Sequence, residues 1–131
     1  MSDRTPQTRE VEVLICDEPF DPAKEYEALD VNPQTGAIAS FVGKVRGQEP
    51  VAQEGSGDSS RELKGMQLEH YPGMTEQVIH GICQQAFKRW EIQNCRVLHR
   101  VGVLKVSEPI VLVLVASAHR SDAFSACEFR L

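Results

Sequence analysis

The amino-acid sequence predicts an α+β fold in which a largely antiparallel sheet packs against one long helix. The predicted elements follow one another as strand, helix, strand, strand, helix, strand, strand, helix, an order that favours this fold class. Residues 74–90 repeat apolar side chains at helical spacing, and residues 110–118 form a nearly uninterrupted apolar run. A length of 131 residues suits one hydrophobic core, so we expect a single domain over residues 1–131.

The first part of the chain has well-marked element boundaries. Val11–Cys16 alternates in part between apolar and polar residues and predicts a strand. Asp21 is a suitable N-cap for a short helix that has proline in its first turn and extends to about Leu29. Turn-forming residues at Asn32–Gly36 then lead into a predicted strand at Ala37–Val45, which is rich in small and β-branched residues.

Two stretches lack any periodic pattern. Residues 1–10 are polar, and we interpret them as a frayed leader. Residues 48–62 are polar and contain several glycines and serines, which predicts a mobile surface loop. A strand is expected to resume at Leu63–Tyr71 and to end before Pro72.

The clearest helix of the sequence is Met74–Trp90. Its apolar residues recur every fourth position, and we predict that this stripe faces the sheet. The stripe consists of Met74, Val78, Ile82, Ala86 and Trp90, widened by Ile79, Cys83 and Phe87.

The last third of the chain predicts two strands and a final helix. Arg96–Val106 alternates as a strand, and the apolar run Ile110–Ala118 predicts a central strand that is covered on both faces. Ser121 and Asp122 then offer capping oxygens to a helix over Ala123–Leu131.

Composition excludes several classes of function. The net charge of −5 argues against nucleic acid or an anionic membrane as the main partner. The N-terminus has no apolar signal core, and the longest apolar run is too short to span a bilayer. No two histidines and no two cysteines have the spacing of a metal site, so we expect no metal and no cofactor. Reduced, mostly buried thiols are expected at Cys16, Cys83, Cys95 and Cys127.

His119 and Arg120 are the first candidates for chemistry. They directly follow the predicted buried strand and precede a predicted helix start. Backbone N–H groups at such a position attract anions, and arginine adds a bidentate donor for phosphate or carboxylate. The neighbouring histidine can transfer a proton near neutral pH. An ordinary strand end with exposed polar residues produces the same pattern, and spacing alone does not decide between the two.

Further candidates lie on two other predicted strands. Lys44 and Arg46 have the same parity, so both side chains are expected on one side, although a solvated edge strand accounts for them equally well. His99 is predicted to be a half-buried, hydrogen-bonded structural residue that shares a strand face with Val97, Val101 and Val103. Residues 69–71 could line a pocket, and His80 is predicted to lie on the surface.

Four segments together resemble the large, catalytic subunits of molybdopterin synthases. Each segment alone is weak, but their order and spacing over residues 36–129 are specific. The segments are Phe41-Val42-Gly43-Lys44-Val45-Arg46, Leu68-Glu69-His70-Tyr71-Pro72-Gly73-Met74, His99-Arg100-Val101-Gly102-Val103-Leu104 and Ser117-Ala118-His119-Arg120-Ser121-Asp122-Ala123-Phe124.

This resemblance implies an α/β hammerhead fold and a cytoplasmic sulfurtransferase of molybdenum cofactor biosynthesis. Such enzymes convert precursor Z, a cyclic pyranopterin monophosphate, into molybdopterin by installing two dithiolene sulfurs. The sulfur arrives as a thiocarboxylate on the C-terminal glycine of a small ubiquitin-like partner subunit. Large subunits are implied to form a homodimer within a heterotetramer. Neither nucleic acid nor a membrane is an implied partner.

The resemblance also assigns roles to individual residues. Arg46, His119 and Arg120 match the family's pocket positions and are implied to be catalytic and to bind the pterin phosphate. Phe41 matches a position beside the inserted tail of the partner, where its ring could pack on a glycine-rich segment. His119 is further implied to assist proton transfer while sulfur replaces oxygen.

The sequence departs from the family pattern at its end. The family's last helix continues into a segment resembling K-T-x-x-P-x-W-K, whose lysines are considered catalytic, whereas this sequence stops at Leu131. A truncated, non-catalytic homologue that only binds the small subunit or a phosphorylated pterin is therefore an alternative. A second alternative is an unrelated protein that binds a small phosphometabolite. The 48–62 stretch also looks longer than the family's usual loop.

Overall fold

The computed structural model describes residues 10–50, 60–62, 65–68 and 73–129 of the chain. These residues form strands and helices in the order strand, helix, four strands, helix, three strands, helix. In chain order the elements are β1 Glu10–Cys16, α1 Pro22–Ala28, β2 Ala37–Lys44, β3 Gln48–Pro50, β4 Ser60–Glu62, β5 Gly65–Leu68, α2 Met74–Arg89, β6 Ile92–Arg100, β7 Gly102–Lys105, β8 Pro109–Ser117 and α3 Arg120–Glu128.

The main sheet has four strands in the order β1-β6-β8-β2. Strand β8 pairs antiparallel with both β6 and β2, whereas β1 and β6 run parallel. Two small antiparallel pairs, β3-β4 and β5-β7, accompany it. The predicted α+β class with a largely antiparallel sheet is confirmed, with one parallel strand at its edge. That the whole chain is one domain stays a prediction.

Strand β8 is the centre of the sheet, as its apolar sequence predicts. Every residue from Leu112 to Ser117 is buried. Helices α2 and α3 cover one face, which we call the helical face, where Val97 and Val113 are fully buried. The other face carries a second apolar cluster that Leu29, at the end of α1, helps to close. Burying each such aliphatic side chain contributes about 1.5–3 kcal/mol to folding.

Helix α1 begins where the sequence predicts. The Asp21 carboxylate accepts a hydrogen bond from the Ala23 N–H at 3.0 Å, which caps the first turn. An ion pair fixes the helix to the sheet, because the Arg96 guanidinium of β6 lies 2.7 Å from the Glu25 carboxylate of α1. The same guanidinium lies 3.0 Å from the Glu12 carboxylate of β1.

Helix α2 occupies the predicted range, but the predicted stripe is partly wrong. Its buried residues are Ile79, Cys83 and Ala86, whereas Met74 and Val78 remain 62% and 58% exposed. A helix has 3.6 residues per turn, so a repeat of four residues drifts about 40° at every step. Residues at every fourth position therefore rotate gradually around the helix. Ala86 faces the sheet, whereas Val78 and Met74, nearer the N-terminus, point away from it.

The predicted strand Arg96–Val106 is wrong in its extent. Strand β6 begins earlier, at Ile92, and ends at Arg100. Val101 interrupts the strand, and the chain then continues as β7 from Gly102. The Val101 N–H donates a hydrogen bond to the carbonyl of Cys16 at 2.9 Å, and Gly102 adopts a φ of 90°. Glycine tolerates this left-handed backbone. The alternation of apolar residues in the sequence continues across this interruption and therefore does not indicate it.

The loop prediction for residues 48–62 is wrong at both ends. Gln48–Pro50 and Ser60–Glu62 pair as the antiparallel strands β3 and β4. Residues 51–59 lie outside the described residues, as do residues 1–9 of the leader predicted over residues 1–10. Glu10 belongs to β1, so the leader prediction is wrong at that residue. For the predicted strand Leu63–Tyr71, the structure describes only β5, Gly65–Leu68, which is a strand.

The last helix begins earlier than predicted. Helix α3 starts at Arg120 with His119 as its N-cap, and no side chain caps it. Ser121 and Asp122 therefore lie in the first turn instead of preceding it. An acidic side chain in the first turn still favours the helix, because the N-terminal end carries partial positive charge.

Candidate functional site

His119 and Arg120 lie exposed where the central strand ends and α3 begins. A buried hydroxyl fixes this point, since Ser117 donates to the carbonyl of Glu91 at 2.7 Å. The same hydroxyl accepts the backbone N–H of His119 at 3.1 Å. The polar pair is therefore presented on a fixed backbone, because the nearby Ser117 is anchored in the core.

A close approach by a glycine also fixes this strand end. The Gly36 N–H donates to the carbonyl of Ser117 at 2.9 Å. A Cβ at Gly36 would lie 2.2 Å from the carbonyl oxygen of Ala118, so only glycine permits this contact. Sequence reasoning assigned Gly36 to a turn and overlooked Ser117, whose position directly after the apolar run was the available signal.

The electrostatics of this end favour an anion. The first N–H groups of a helix lack partners within it and attract negative charge. His119 supplies no cap to these groups through its side chain, so the imidazole stays available for a ligand. Arg120, at the first helical position, adds a planar guanidinium that can bind two oxygens of a phosphate.

Phe41 lies in the middle of β2, on the helical face of the sheet. It pairs with Val113 of β8, which in turn pairs with Val97 of β6. Its side chain is 47% exposed and faces the exposed Phe124 of α3 across an open groove of about 500 Å³. The groove is lined by Ala39, Ser40, Phe41, Phe124, Cys127 and Glu128.

Gly43 provides the space in which the Phe41 ring rests. A Cβ built on Gly43 would lie 2.9 Å from Cγ1 of Val111 and 3.4 Å from the Phe41 ring. The atoms nearest to this position thus belong to two side chains and not to a neighbouring backbone. The lack of a Cβ at Gly43 therefore leaves room for Val111 beside the Phe41 ring.

Arg46 lies at the opposite end of the sheet from His119 and Arg120. Ala37 pairs with Ser117 at one end of the β2-β8 pair, and Lys44 pairs with Pro109 at the other. At roughly 3.3 Å per residue, these ends are about 25 Å apart. A single chain therefore does not bring Arg46 together with the other two predicted pocket residues.

Two of the weaker sequence predictions need correction. Strand β2 ends at Lys44 with a register shift after Gly43, so strand alternation does not place Arg46 on the side of Lys44. His99 is half-buried as predicted, but its Nδ1 has no hydrogen-bond partner in the part of the chain that the structure describes. Val103 does not share its buried face, because β7 leaves it 73% exposed.

His80 and the cysteines lie away from the strand end that carries His119. His80 is exposed on α2, as predicted, and residues 69–71 lie outside the described residues.

All four cysteines are free thiols, and Cys83 and Cys95 lie 3.6 Å apart, Sγ to Sγ. Burial raises the pKa of the Cys127 thiol to about 11. Among the described residues, no group of histidine, cysteine or carboxylate side chains is arranged to hold a metal ion. The described helices also include none that is long and apolar enough to cross a bilayer.

Comparisons with known proteins agree on one family. The model of the MoaE protein family matches residues 15–131. The chain is 48% identical over 117 residues to the molybdopterin synthase catalytic subunit of Vibrio cholerae, covering 89% of this chain and 72% of that protein. It is 46% identical over 118 residues to the same subunit of Ralstonia nicotianae, covering 89% of this chain and 62% of that protein.

A solved structure shares both fold and sequence with the chain. It is the molybdopterin biosynthesis MoaE protein from Burkholderia ambifaria, with a TM-score of 0.72 and 39% sequence identity. The similarity covers 90% of this chain and 72% of that one. The sequences of the curated relatives thus extend beyond the part that this chain matches.

Proposed function

The chain belongs to the MoaE family, and on that premise we propose that it acts as the large, catalytic subunit of a molybdopterin synthase. In this proposal it works in molybdenum cofactor biosynthesis, in the cytoplasm. It converts precursor Z, a cyclic pyranopterin monophosphate, into molybdopterin. A small ubiquitin-like subunit supplies the sulfur from a thiocarboxylate at its C-terminus. No cofactor or metal takes part in the proposal.

The observation that carries the proposal is the exposed cationic end of the central strand. His119 and Arg120 stand on a backbone that Ser117 anchors in the core. The substrate's phosphate needs fixed donors, which a helix N-terminus and a guanidinium supply. His119 can then give or take the proton that moves when sulfur replaces oxygen at the pterin.

The groove at Phe41 suits the tail of the sulfur-donating subunit. An extended, glycine-rich tail has little side-chain volume, so an open groove between two exposed aromatic rings can accept its backbone. Phe41 and Phe124 flank this groove on the same face of the sheet that α3 covers. The C-terminus of such a tail could thereby be guided along α3 towards His119.

The position of Arg46 bears on the assembly. If Arg46, His119 and Arg120 bind one phosphate, two copies of the chain must supply them. Within one copy, strand geometry separates Arg46 from His119 and Arg120 by about 25 Å. A homodimer within a heterotetramer provides the second copy. Cyclic symmetry would then create two equivalent pockets, each with Arg46 from one chain and His119 from the other.

A single-turnover assay tests the activity. The protein is mixed with thiocarboxylated small subunit and precursor Z, and the dithiolene product is detected by mass spectrometry. We expect product from the native sequence and none from His119→Ala, with the Vibrio cholerae subunit as the positive control. Unimpaired product formation by His119→Ala would remove this residue from the mechanism. No product from the native sequence, nor from the same sequence with the family's lysine segment appended, where the control succeeds, would overturn the enzyme proposal.

A further inference from the structure

We propose that the turn between β7 and β8, held by Glu108 against the buried Arg100, positions Arg46 for its anionic ligand. The proposal rests on the function proposed above, in which Arg46 binds the phosphate of the pterin. It concerns residues that lie outside that site and act through the backbone. Arg100 and Glu108 are positioning residues in this proposal, since neither is placed against the substrate.

The backbone next to Arg46 is held on both sides by this turn. The Val45 N–H donates to the carbonyl of Glu108 at 3.0 Å, and the Val45 carbonyl accepts the N–H of Ser107 at 2.9 Å. Val45 itself is 4% exposed, so its side chain is anchored as well. Arg46 follows directly and is exposed. The direction in which its side chain leaves the protein is therefore set by two consecutive residues of the turn.

The turn has a conformation that needs support. Ser107 adopts a φ of 75°, a left-handed backbone that costs a non-glycine residue energy. Two hydrogen bonds compensate for it. The Glu108 N–H donates to the carbonyl of Lys105 at 3.1 Å, and the Glu108 carboxylate accepts the Lys105 N–H at 2.7 Å. Glu108 thus closes the turn with its side chain while its own carbonyl holds Val45.

A buried charge lies against the same carboxylate. Arg100 is 3% exposed, and its Nη1 lies 3.7 Å from the Glu108 carboxylate. Its Nη2 donates to the carbonyl of Val103 at 3.3 Å, whereas Nε and Nη1 have no hydrogen-bond partner among the described residues. Within the described part of the chain, Glu108 is its one ion-pair partner. A buried guanidinium needs such a counter-charge, so the arginine keeps the carboxylate, and with it the turn, in place.

The test compares Glu108→Gln with Arg46→Ala and with the double variant. The glutamine can still accept the Lys105 N–H, but it removes the charge that faces Arg100. We expect a roughly tenfold higher KM for precursor Z, a modest change in kcat, and unchanged affinity for the small subunit. In the double variant we expect no loss beyond that of Arg46→Ala, since two residues that act through one contact are not additive. Glu27→Gln, an exposed carboxylate on α1, is the matched control.

Glu108→Asp and an activity-independent measurement complete the test. The aspartate keeps the charge opposite Arg100 but is too short to hold the Lys105 N–H, so an intermediate KM is expected. Hydrogen exchange at the Val45 amide should accelerate several-fold in Glu108→Gln and stay unchanged in Glu27→Gln. Unchanged exchange at Val45 would overturn the proposal even if the enzyme were inactive.

The kinetic outcomes separate this proposal from the proposed function. If the two substitutions raise KM independently, so that their effects multiply in the double variant, the turn does not act through Arg46. A lower melting temperature of Glu108→Gln with a native KM would likewise mean that the turn only stabilises the fold. A native KM in Arg46→Ala, with His119→Ala inactive, would remove the ligand that the turn is proposed to serve. Sulfur transfer would stand in that case, whereas absence of product from the native sequence concerns the proposed function alone.

Discussion

Ser117 and Gly36 hold the backbone from which His119 and Arg120 project, the first through the carbonyl of Glu91 and the second through a close approach to Ala118. His119 and Arg120 were identifiable because a polar, ionisable pair directly after an apolar run is unusual. Ser117 and Gly36 were not, since their importance lies in contacts with Glu91 and Ala118 that are distant in sequence. A serine at the end of an apolar strand can equally be a solvated residue, and a glycine at the end of a turn can serve the turn alone. Tertiary contacts decide between these roles, and the local sequence does not contain them.

Gly43→Ala tests whether the Phe41 ring belongs to the partner-binding groove. The new methyl group would lie 2.9 Å from Cγ1 of Val111, so Val111 must shift, and it would touch the Phe41 ring at 3.4 Å, so the packing beside the ring changes. We expect an affinity for the small subunit that is several-fold lower, measured by calorimetry, and a stability lower by about 1–3 kcal/mol from overpacking.

Gly81→Ala is the control for that substitution. Gly81 lies within α2 and has no atom within 4 Å of the position of a new Cβ. This variant should be more stable by about 1 kcal/mol, because alanine favours a helix over glycine, and should bind the small subunit normally. Native affinity in Gly43→Ala would show that binding of the tail does not depend on the packing of Val111 beside the Phe41 ring.

Elements were predicted better than their edges. Strand β1, helix α1 and the central strand were found close to their observed bounds, because capping residues and turn residues mark them. The extent of β6 was missed because the backbone leaves the strand at Val101 and Gly102 while the side-chain alternation continues. Similarly, the stripe on α2 was drawn too straight, since the sequence does not show which part of the helix reaches the sheet.

The packing of α3 on the sheet predicts a dependence of stability on pH. Burial against β8 raises the pKa of the Cys127 thiol from an ordinary 9.0 to about 11. Below pH 9 the thiol is neutral in the folded and the unfolded chain, so its contribution is complete. Between pH 9 and 11 it ionises only when unfolded, and the free energy of unfolding falls by up to about 2–3 kcal/mol.

Urea unfolding at pH 8 and at pH 11 measures this effect. Cys127→Ala should be less stable at pH 8, because it leaves a small cavity. It should then lose less stability than the native sequence on going to pH 11. Equal losses in both proteins would show that another group controls the alkaline transition. Burial also raises the pKa of the half-buried Cys16 thiol on β1, so Cys16→Ala should reduce the alkaline loss of stability in the same direction.

At the scale of the whole molecule, the sheet order decides which site residues meet. The motifs that contain Arg46 and His119 were both recognisable, but their distance depends on the pairing of β2 with β8. Antiparallel pairing over eight residues puts one motif at each end. Register is a property of the assembled sheet. The sequence could therefore suggest that Arg46 and His119 share a pocket, but it could not show that they lie far apart within one chain.

A mixture of two variants tests the central claim most directly, at a precursor Z concentration low enough that neither variant alone forms appreciable product. Arg46→Ala and His119→Ala proteins are each assayed for molybdopterin formation with thiocarboxylated small subunit, then mixed, allowed to exchange subunits, and assayed again beside the native sequence. If the pterin phosphate is bound by Arg46 of one copy and His119 of the other, mixed dimers contain one intact pocket. About a quarter of all pockets are then restored, by random pairing of symmetric dimers. Recovery of about a quarter of native activity is the predicted result, and no recovery, despite confirmed exchange and an active native protein, would contradict it.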